Sequence, residues 1–299
     1  MAQRFAHISD PHLSTLADIP LSQLRGKQWL SYLSWKRKRR HEHRIEVLDA
    51  LRKDMAQFDL SQILISGDLT HLGLPQEFLQ VRDWLEQLGS PDQVAVIPGN
   101  HDALVKTPWE QTFARWEEYL ASDPAQASTY TWPSIRQRGE LVFIGLSSAC
   151  PTPPLMASGS IDPAQLELLP ALLDRYRGSF RVVYVHHTPV AGVEKWRKSL
   201  RNAGALREVI AAAGAELVLH GHGHRARHDA LPGRDGEVPV LAVPSASALG
   251  LHGKDGAAYN CYCAERDSSG WRLSIEHRYF DAASRAFQSR ESESIALAR

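Results

Sequence analysis

What most constrains this chain is a repeated local pattern. Short apolar runs stop abruptly in polar loops that carry metal- or proton-competent side chains. The clearest case is Val94-Ala95-Val96-Ile97, which runs into Pro98-Gly99-Asn100-His101-Asp102. Four apolar residues in a row read as a buried strand, and Pro-Gly ends a strand and opens a loop. Four companions end other strand-like runs in the same way: Asp10-Pro11-His12, Gly67-Asp68, His186-His187 and His220-Gly221-His222-Gly223-His224. Strands of this kind alternating with helices predict an α/β fold, whose chemistry gathers at the carboxyl ends of the strands.

The remaining elements follow from periodicity. Strands are predicted at 5–9, 62–66, 141–146, 180–185, 216–219, 238–243, 258–264 and 271–280. An amphipathic helix is predicted over 42–58, with Ile45, Leu48, Leu51 and Met55 on one side. Further helices are expected after Pro75, from Pro108 to Leu120, after Pro163 with a kink or break at Pro170, and from Asn202 to Ala213. With no internal repeat and no Gly/Ser linker, residues 1–283 read as one domain and 284–299 as a loosely held tail. The formal net charge is zero, so no global field argues for nucleic acid. Three cysteines, Cys150, Cys261 and Cys263, supply neither a disulfide framework nor a zinc site, and suit a reducing compartment. No apolar run is long enough to span a bilayer, and the first motif begins too early for a signal peptide. A cytoplasmic location is the expectation.

Two aspartates, an asparagine and several histidines at strand ends form a mixed nitrogen and oxygen donor set. Such a set suits Zn, Mn, Fe or Co, and its lack of thiolates argues against a structural zinc site. A carboxylate shared by two ions roughly 3.5–4 Å apart is the arrangement that clamps a phosphoryl group and activates water.

In this order the five motifs resemble those of the calcineurin-like metallophosphoesterase superfamily. The resemblance implies a four-layer α/β/β/α sandwich with a binuclear metal centre. Carried onto this chain, one ion takes Asp10, His12 and His224, the other takes Asn100, His186 and His222, and Asp68 bridges both. His101 matches the family's general acid, acting on the leaving oxygen. His186 is preferred to His187 as the ligand, His220 is expected in the core or behind the ligands, and Asp102 to orient its loop or His101. His71, Arg225 and His252 read as surface residues or as lying behind the ligands, with reach to substrate as the alternative. The implied activity is metal-dependent hydrolysis of a phosphodiester or pyrophosphate. The protein Ser/Thr phosphatases follow Gly-Asp with Tyr-Val-Asp-Arg-Gly, whereas Gly67-Asp68 continues as Leu69-Thr70-His71-Leu72-Gly73. This looks like the bacterial branch containing cyclic-nucleotide and glycerophosphodiester hydrolases, with a related branch acting on UDP-diacylglucosamine.

Residues 14–40 depart from the compact members of these branches. Between Arg25 and Arg44, eight residues are Lys or Arg and only Glu42 is acidic, with Trp29, Tyr32 and Trp35 interleaved. Three readings stay open: a cap or membrane contact for a small or lipid-linked phosphate ester, a nucleic-acid footprint, and a packing element with solvated charges. The neutral overall charge favours a small or lipid-linked substrate over nucleic acid.

Overall fold

The apolar runs become strands and sort into two six-stranded sheets. The computed structural model describes residues 2–298 except 14, 18, 125–130 and 269, with the side chains of 252 and 298 also outside the description. In chain order the strands are β1 (Gln3–Ile8), β2 (Gln62–Ile65), β3 (Val94–Val96), β4 (Ser134–Arg138), β5 (Leu141–Leu146), β6 (Phe180–Val185), β7 (Leu217–His220), β8 (Arg227–Gly233), β9 (Gly236–Ala242), β10 (Ala258–Asp267), β11 (Gly270–Asp281) and β12 (Ala286–Ala298). The helices are α1 (Lys27–Ser34), α2 (Arg40–Glu42), α3 (Ile45–Met55), α4 (Pro75–Leu88), α5 (Glu117–Leu120), α6 (Pro163–Arg175) and α7 (Ala203–Ala213). One sheet runs β12-β11-β10-β1-β2-β3 and the other β4-β5-β6-β7-β9-β8. The β1–β2–β3 and β5–β6–β7–β9 blocks are parallel, which explains their continuous apolar character: both faces are covered.

Alternation along each strand divides the core into layers. Ile63 and Ile65 face outward against Val47, Leu48, Leu51, Phe78, Val81 and Leu85 of α3 and α4. Between them, Leu64 points inward to join Phe5, Phe143, Val182, Tyr184, Leu219 and Tyr262 in the space between the sheets. Val183 and Val185 face the other way, onto Leu169 and Leu173 of α6 and Leu206 and Ile210 of α7. The result is an α/β/β/α sandwich.

Four sequence expectations need correction. Ile45 is exposed and Val47 takes its place on the buried side of α3. The 108–120 stretch is two 3-10 turns followed by α5. Pro170 lies inside α6 without ending it, on the exposed face, where water can meet the carbonyl that loses its donor. The segment expected as a loose tail is strand β12, paired antiparallel to β11. Its pattern was hidden by a bulge: His277 pairs with Glu291 and Arg278 with Ser289, leaving Arg290 without a counterpart. One extra residue exchanges the two faces of a strand. Phe287 therefore packs on the helix-covered side, while Ile295 and Leu297 pack between the sheets. Strands β4 and β8 were also missed, being short of apolar residues.

The inserted segment docks through Trp35, which is buried in a separate cluster with Leu16, Leu24, Leu72, Leu74 and Leu104. Asp102 pins the neighbouring strand exits together. Its carboxylate accepts from the main-chain N–H of Asp68 (3.0 Å), Gly99 (2.9 Å) and Thr70 (2.8 Å), and from the Thr70 hydroxyl (2.9 Å). Replacing it by alanine strands three buried N–H donors, each worth about 1–3 kcal/mol when left unsatisfied. Allowing for partial rescue by water, Asp102→Ala should lower unfolding free energy by about 2–4 kcal/mol in urea titration; a loss within error of zero would show that the two loops hold themselves.

Candidate metal centre

The parallel strands deliver their carboxyl ends to one edge of the sandwich. Asp10 and His12 follow β1, Asp68 follows β2, Asn100 and His101 follow β3, His186 follows β6, and His222 and His224 follow β7. Hydrogen bonds cross between the sheets here: the His186 Nδ1–H donates to the Ser66 carbonyl (2.7 Å), and the His222 N–H to Asp10 Oδ2 (3.0 Å). The backbone at these exits is unusual. Asp10, His12, Asp68, His222 and His224 all have positive φ, between 42° and 65°, where a side chain other than that of glycine is disfavoured. Such strain gathers where function requires a particular side-chain direction. Gly99 serves a different need, since a Cβ there would collide with the main-chain nitrogen and carboxylate of Asp68.

All seven expected ligands come together. His224 Nε2 lies 3.1 Å from Asp10 Oδ1, and His12 Nε2 lies 4.0 Å from both Asp10 Oδ1 and Asp68 Oδ2. On the other side of Asp68, His186 Nε2 is 3.4 Å from Oδ2 and 3.3 Å from Asn100 Oδ1. Asp68 Oδ2 thus faces both groups, while its Oδ1 accepts the His101 N–H (2.7 Å). The residues fit divalent ions on independent grounds. His222 Nε2 is buried without a hydrogen-bond partner. A buried polar atom left in that state is costly unless something else binds it. The tautomers also suit ligation. His12 Nδ1 lies 3.0 Å from the Thr70 carbonyl, which can only accept, so Nδ1 carries the proton and Nε2 is left free; in His186 the Ser66 carbonyl likewise holds Nδ1–H, and Nε2 is turned toward Asp68 and Asn100.

His187 also has a ring nitrogen near His186 and His222, yet both its nitrogens are engaged. Nε2–H donates to the Ala157 carbonyl (3.1 Å), and Nδ1 accepts from the Ser148 hydroxyl (2.8 Å). That leaves His186 as the better donor of the pair. His220 is buried beside its own Gly221 carbonyl. His71 is buried and stacks on the His12 ring at 5.1 Å, whereas Arg225 is exposed at the rim. The His252 side chain lies outside the described residues.

Two residues escaped the sequence reading. His43, just beyond the insertion, brings a ring nitrogen close to those of His12 and His224. Arg39 places Nη1 3.2 Å from His101 Nδ1. Their only sequence signal was membership of a basic run, which by itself says nothing about direction. Both line a cavity of about 930 Å³ over the centre, which is also bordered by Arg37, Lys38, Lys195, Arg197 and Lys198. A second concavity of about 830 Å³, near Arg181 and Trp271, contains none of the ligand set.

Electrostatics are dominated by the clustered imidazoles. Burial alone would raise the carboxyls, but neighbouring histidines outweigh it and hold Asp10 and Asp68 below the ordinary range. Burial pushes His12 down to about 4 and His222 well below 6.5. In His186 burial acts in the same direction, yet the Asp68 carboxylate overrides it and raises the ring to about 9.

Residues 3–226 match the family model described as calcineurin-like phosphoesterase. A probable cyclic nucleotide phosphodiesterase of Synechococcus sp. is 32% identical over 167 residues, covering 55% of this chain and 58% of that protein. Among solved structures, a purple acid phosphatase from yellow lupin (Lupinus luteus) seeds superposes with TM-score 0.62 at 14% identity, covering 99% of this chain and 54% of that one. PhoD gives 0.57 at 10% identity, with 98% and 69% covered. The chain therefore spans little more than half the length of the first two, and the two structures bear on fold alone.

A histidine ligand binds metal in its neutral form. Burial favours the neutral ring in His12 and His222, whereas the Asp68 carboxylate favours the protonated ring in His186, and an incoming ion must displace that proton. Metal uptake should therefore release about one proton, and affinity should rise with pH up to about 9, where His186 deprotonates unaided. Calorimetry in two buffers of different ionisation enthalpy counts the protons released; a count of zero at pH 7 would show that His186 is already neutral before the ion arrives.

Proposed function

The chain belongs to the calcineurin-like phosphoesterase family, and on that premise we propose that it is a two-metal hydrolase of a phosphodiester or pyrophosphate bond in a small or lipid-linked substrate. The observation that carries this reading is the meeting of seven nitrogen and oxygen donors beneath a cation-lined cavity of about 930 Å³. That volume is in the range of sites for small organic ligands, and the positive wall matches a substrate with more negative charge than the scissile phosphate alone. The Synechococcus relative, itself named a probable phosphodiesterase, supports diester cleavage. For a lipid-linked substrate, support comes from α1, where Trp29, Leu30 and Leu33 are exposed immediately before Lys36–Arg40; no helix among the described residues is long and apolar enough to cross a membrane.

What divalent ions contribute to such a donor set is Lewis acidity toward a phosphoryl group and a lowered pKa for water. The chain's own groups supply position and proton handling. Asp68 shares one carboxylate oxygen between the two ligand groups and uses the other to hold the His101 main chain. The His101 Nδ1 lies 2.7 Å from the His71 carbonyl and 3.2 Å from Arg39 Nη1; both contacts engage Nδ1 and leave Nε2 as the working nitrogen. Burial, then the nearby Arg39 guanidinium, hold this ring well below 6.5. It is neutral at rest, and acting as an acid requires an anionic substrate to raise it. Arg39 has no carboxylate partner among the described residues, so a substrate phosphate is the counter-charge it lacks.

The test is a hydrolysis panel with added manganese: cyclic nucleotides, glycerophosphodiesters, UDP-diacylglucosamine and phosphomonoesters. Cleavage of a diester or pyrophosphate is expected, and turnover confined to monoesters would refute the reading. A nuclease using the basic segment would instead bind DNA or RNA with steep salt dependence.

His101→Asn should slow turnover by about 10²–10⁴, the range for a positioned proton donor, with metal content unchanged. The loss should shrink for a p-nitrophenyl ester, whose leaving group needs no proton. Equal losses with good and poor leaving groups would mean that His101 positions substrate and transfers no proton.

A further inference from the structure

We propose that His43 is a fifth protein ligand of the ion held by Asp10, His12, Asp68 and His224, so that the basic stretch between Arg25 and Arg44 is latched to the metal centre by a side chain of its own. This rests on the two-metal reading above. None of the strand-exit motifs contains His43, which follows the three-residue helix α2.

The position is built. The His43 N–H donates to the Arg39 carbonyl (2.9 Å), and His43 bridges Ala248 in antiparallel fashion. On either side, the Arg44 N–H donates to the Ser247 carbonyl (3.0 Å) and the Glu42 carbonyl accepts from the Leu249 N–H (2.9 Å). The buried Glu42 carboxylate also accepts from the N–H groups of Gly250 (2.9 Å) and Leu251 (3.2 Å). The imidazole therefore stands on a clamped segment of backbone. Its ring lies 4.6 Å from that of His12 and 5.8 Å from that of His224, between centroids. One nitrogen from each of the three rings lies within 4.8 Å of the others, close enough to share one ion.

The two ring nitrogens are used differently. Nδ1 lies 2.8 Å from the Ser247 hydroxyl and 3.3 Å from that of Ser245, which itself donates to the Asp10 carbonyl (2.6 Å). Nε2 has no hydrogen-bond partner among the described residues. Buried histidines such as His7 and His220 also leave one nitrogen unpaired; what sets His43 apart is that one of its ring nitrogens lies within 4.8 Å of one each from His12 and His224. A metal-binding histidine has one nitrogen oriented by a neighbouring oxygen and the other free for the ion. With His43, the donor set is three imidazoles and two carboxylates, richer in nitrogen than the set of Asp68, Asn100, His186 and His222. The added imidazole favours zinc or cobalt over manganese.

The test compares the full-length wild type with His43→Ala, each equilibrated with zinc against a competing chelator and then analysed for metal. The wild type should hold two zinc ions per chain. The variant should keep one and bind the other more than about tenfold more weakly. A second measurement needs no variant: diethylpyrocarbonate acylates free imidazole nitrogen, and mass spectrometry maps the sites. His43 should react in metal-free protein and be protected by zinc, while the exposed His41 reacts equally in both states. If His43→Ala holds two zinc ions at wild-type affinity and zinc leaves His43 acylation unchanged, His43 is not a ligand, and the two-metal reading stands. If the wild type binds neither zinc, manganese nor cobalt, both readings fall together.

Discussion

The structure turns on a backbone constraint at the mouths of its parallel strands. Ligand side chains from two sheets must converge on one small volume, and ordinary extended or helical backbone does not aim them there. Asp10, His12, Asp68, His222 and His224 instead adopt left-handed conformations, each at a cost of order 1–3 kcal/mol. The surroundings make those conformations the only ones available. Asp102 collects three main-chain N–H groups from two strand exits. Glu77, at the start of α4, does the same for His71, Leu72 and Leu74. Main-chain contacts to His186 and His222 then tie the second sheet to the first. A carboxylate with two acceptor oxygens suits this work, because one side chain can satisfy several donors without occupying much of the crowded volume.

The inserted segment shows how packing and recognition share one stretch of sequence. Trp35 anchors it in a small apolar cluster, and that anchorage turns the following basic residues toward the centre. Arg37, Lys38 and Arg39 border the cavity, and Arg39 reaches His101. The solvated-face and cap readings are therefore not exclusive: Trp35 is packing, and the turn after it is the cavity wall. A chain with zero formal charge can thus carry a strong local field, with a buried histidine and carboxylate floor under a cationic rim.

The strands that position the site were legible because they are buried on both faces. Residues such as Leu141–Leu146 and Phe180–Val185 are apolar without interruption, and their observed bounds agree with the sequence reading. The polar exits were legible because Pro-Gly and Gly-Asp punctuation stands beside side chains rarely found together by accident. Elements with one wet face were not. Strand β12 carries a bulge that switches its buried side at Arg290, so no period-2 pattern runs through it. Strand β8 is mostly exposed, and helix α3 buries Val47 in place of Ile45 because its axis is set by what it packs against.

For the site, the sequence by itself determined the donor types, their order and their placement at strand ends, since these are local properties of each loop. The alternation of doubly buried strands and amphipathic helices determined the α/β class, and the four-layer sandwich followed from the resemblance that the ordered motifs carry. Only the tertiary structure shows how His187 differs from His186, because the difference rests on the Ala157 carbonyl and the Ser148 hydroxyl, which lie 30 and 39 residues from His187 in the chain. Only it brought His43 and Arg39 to the centre, through a tryptophan anchor and a main-chain clamp to residues 247–251. A side chain's direction is set by long-range contacts that no window of sequence contains.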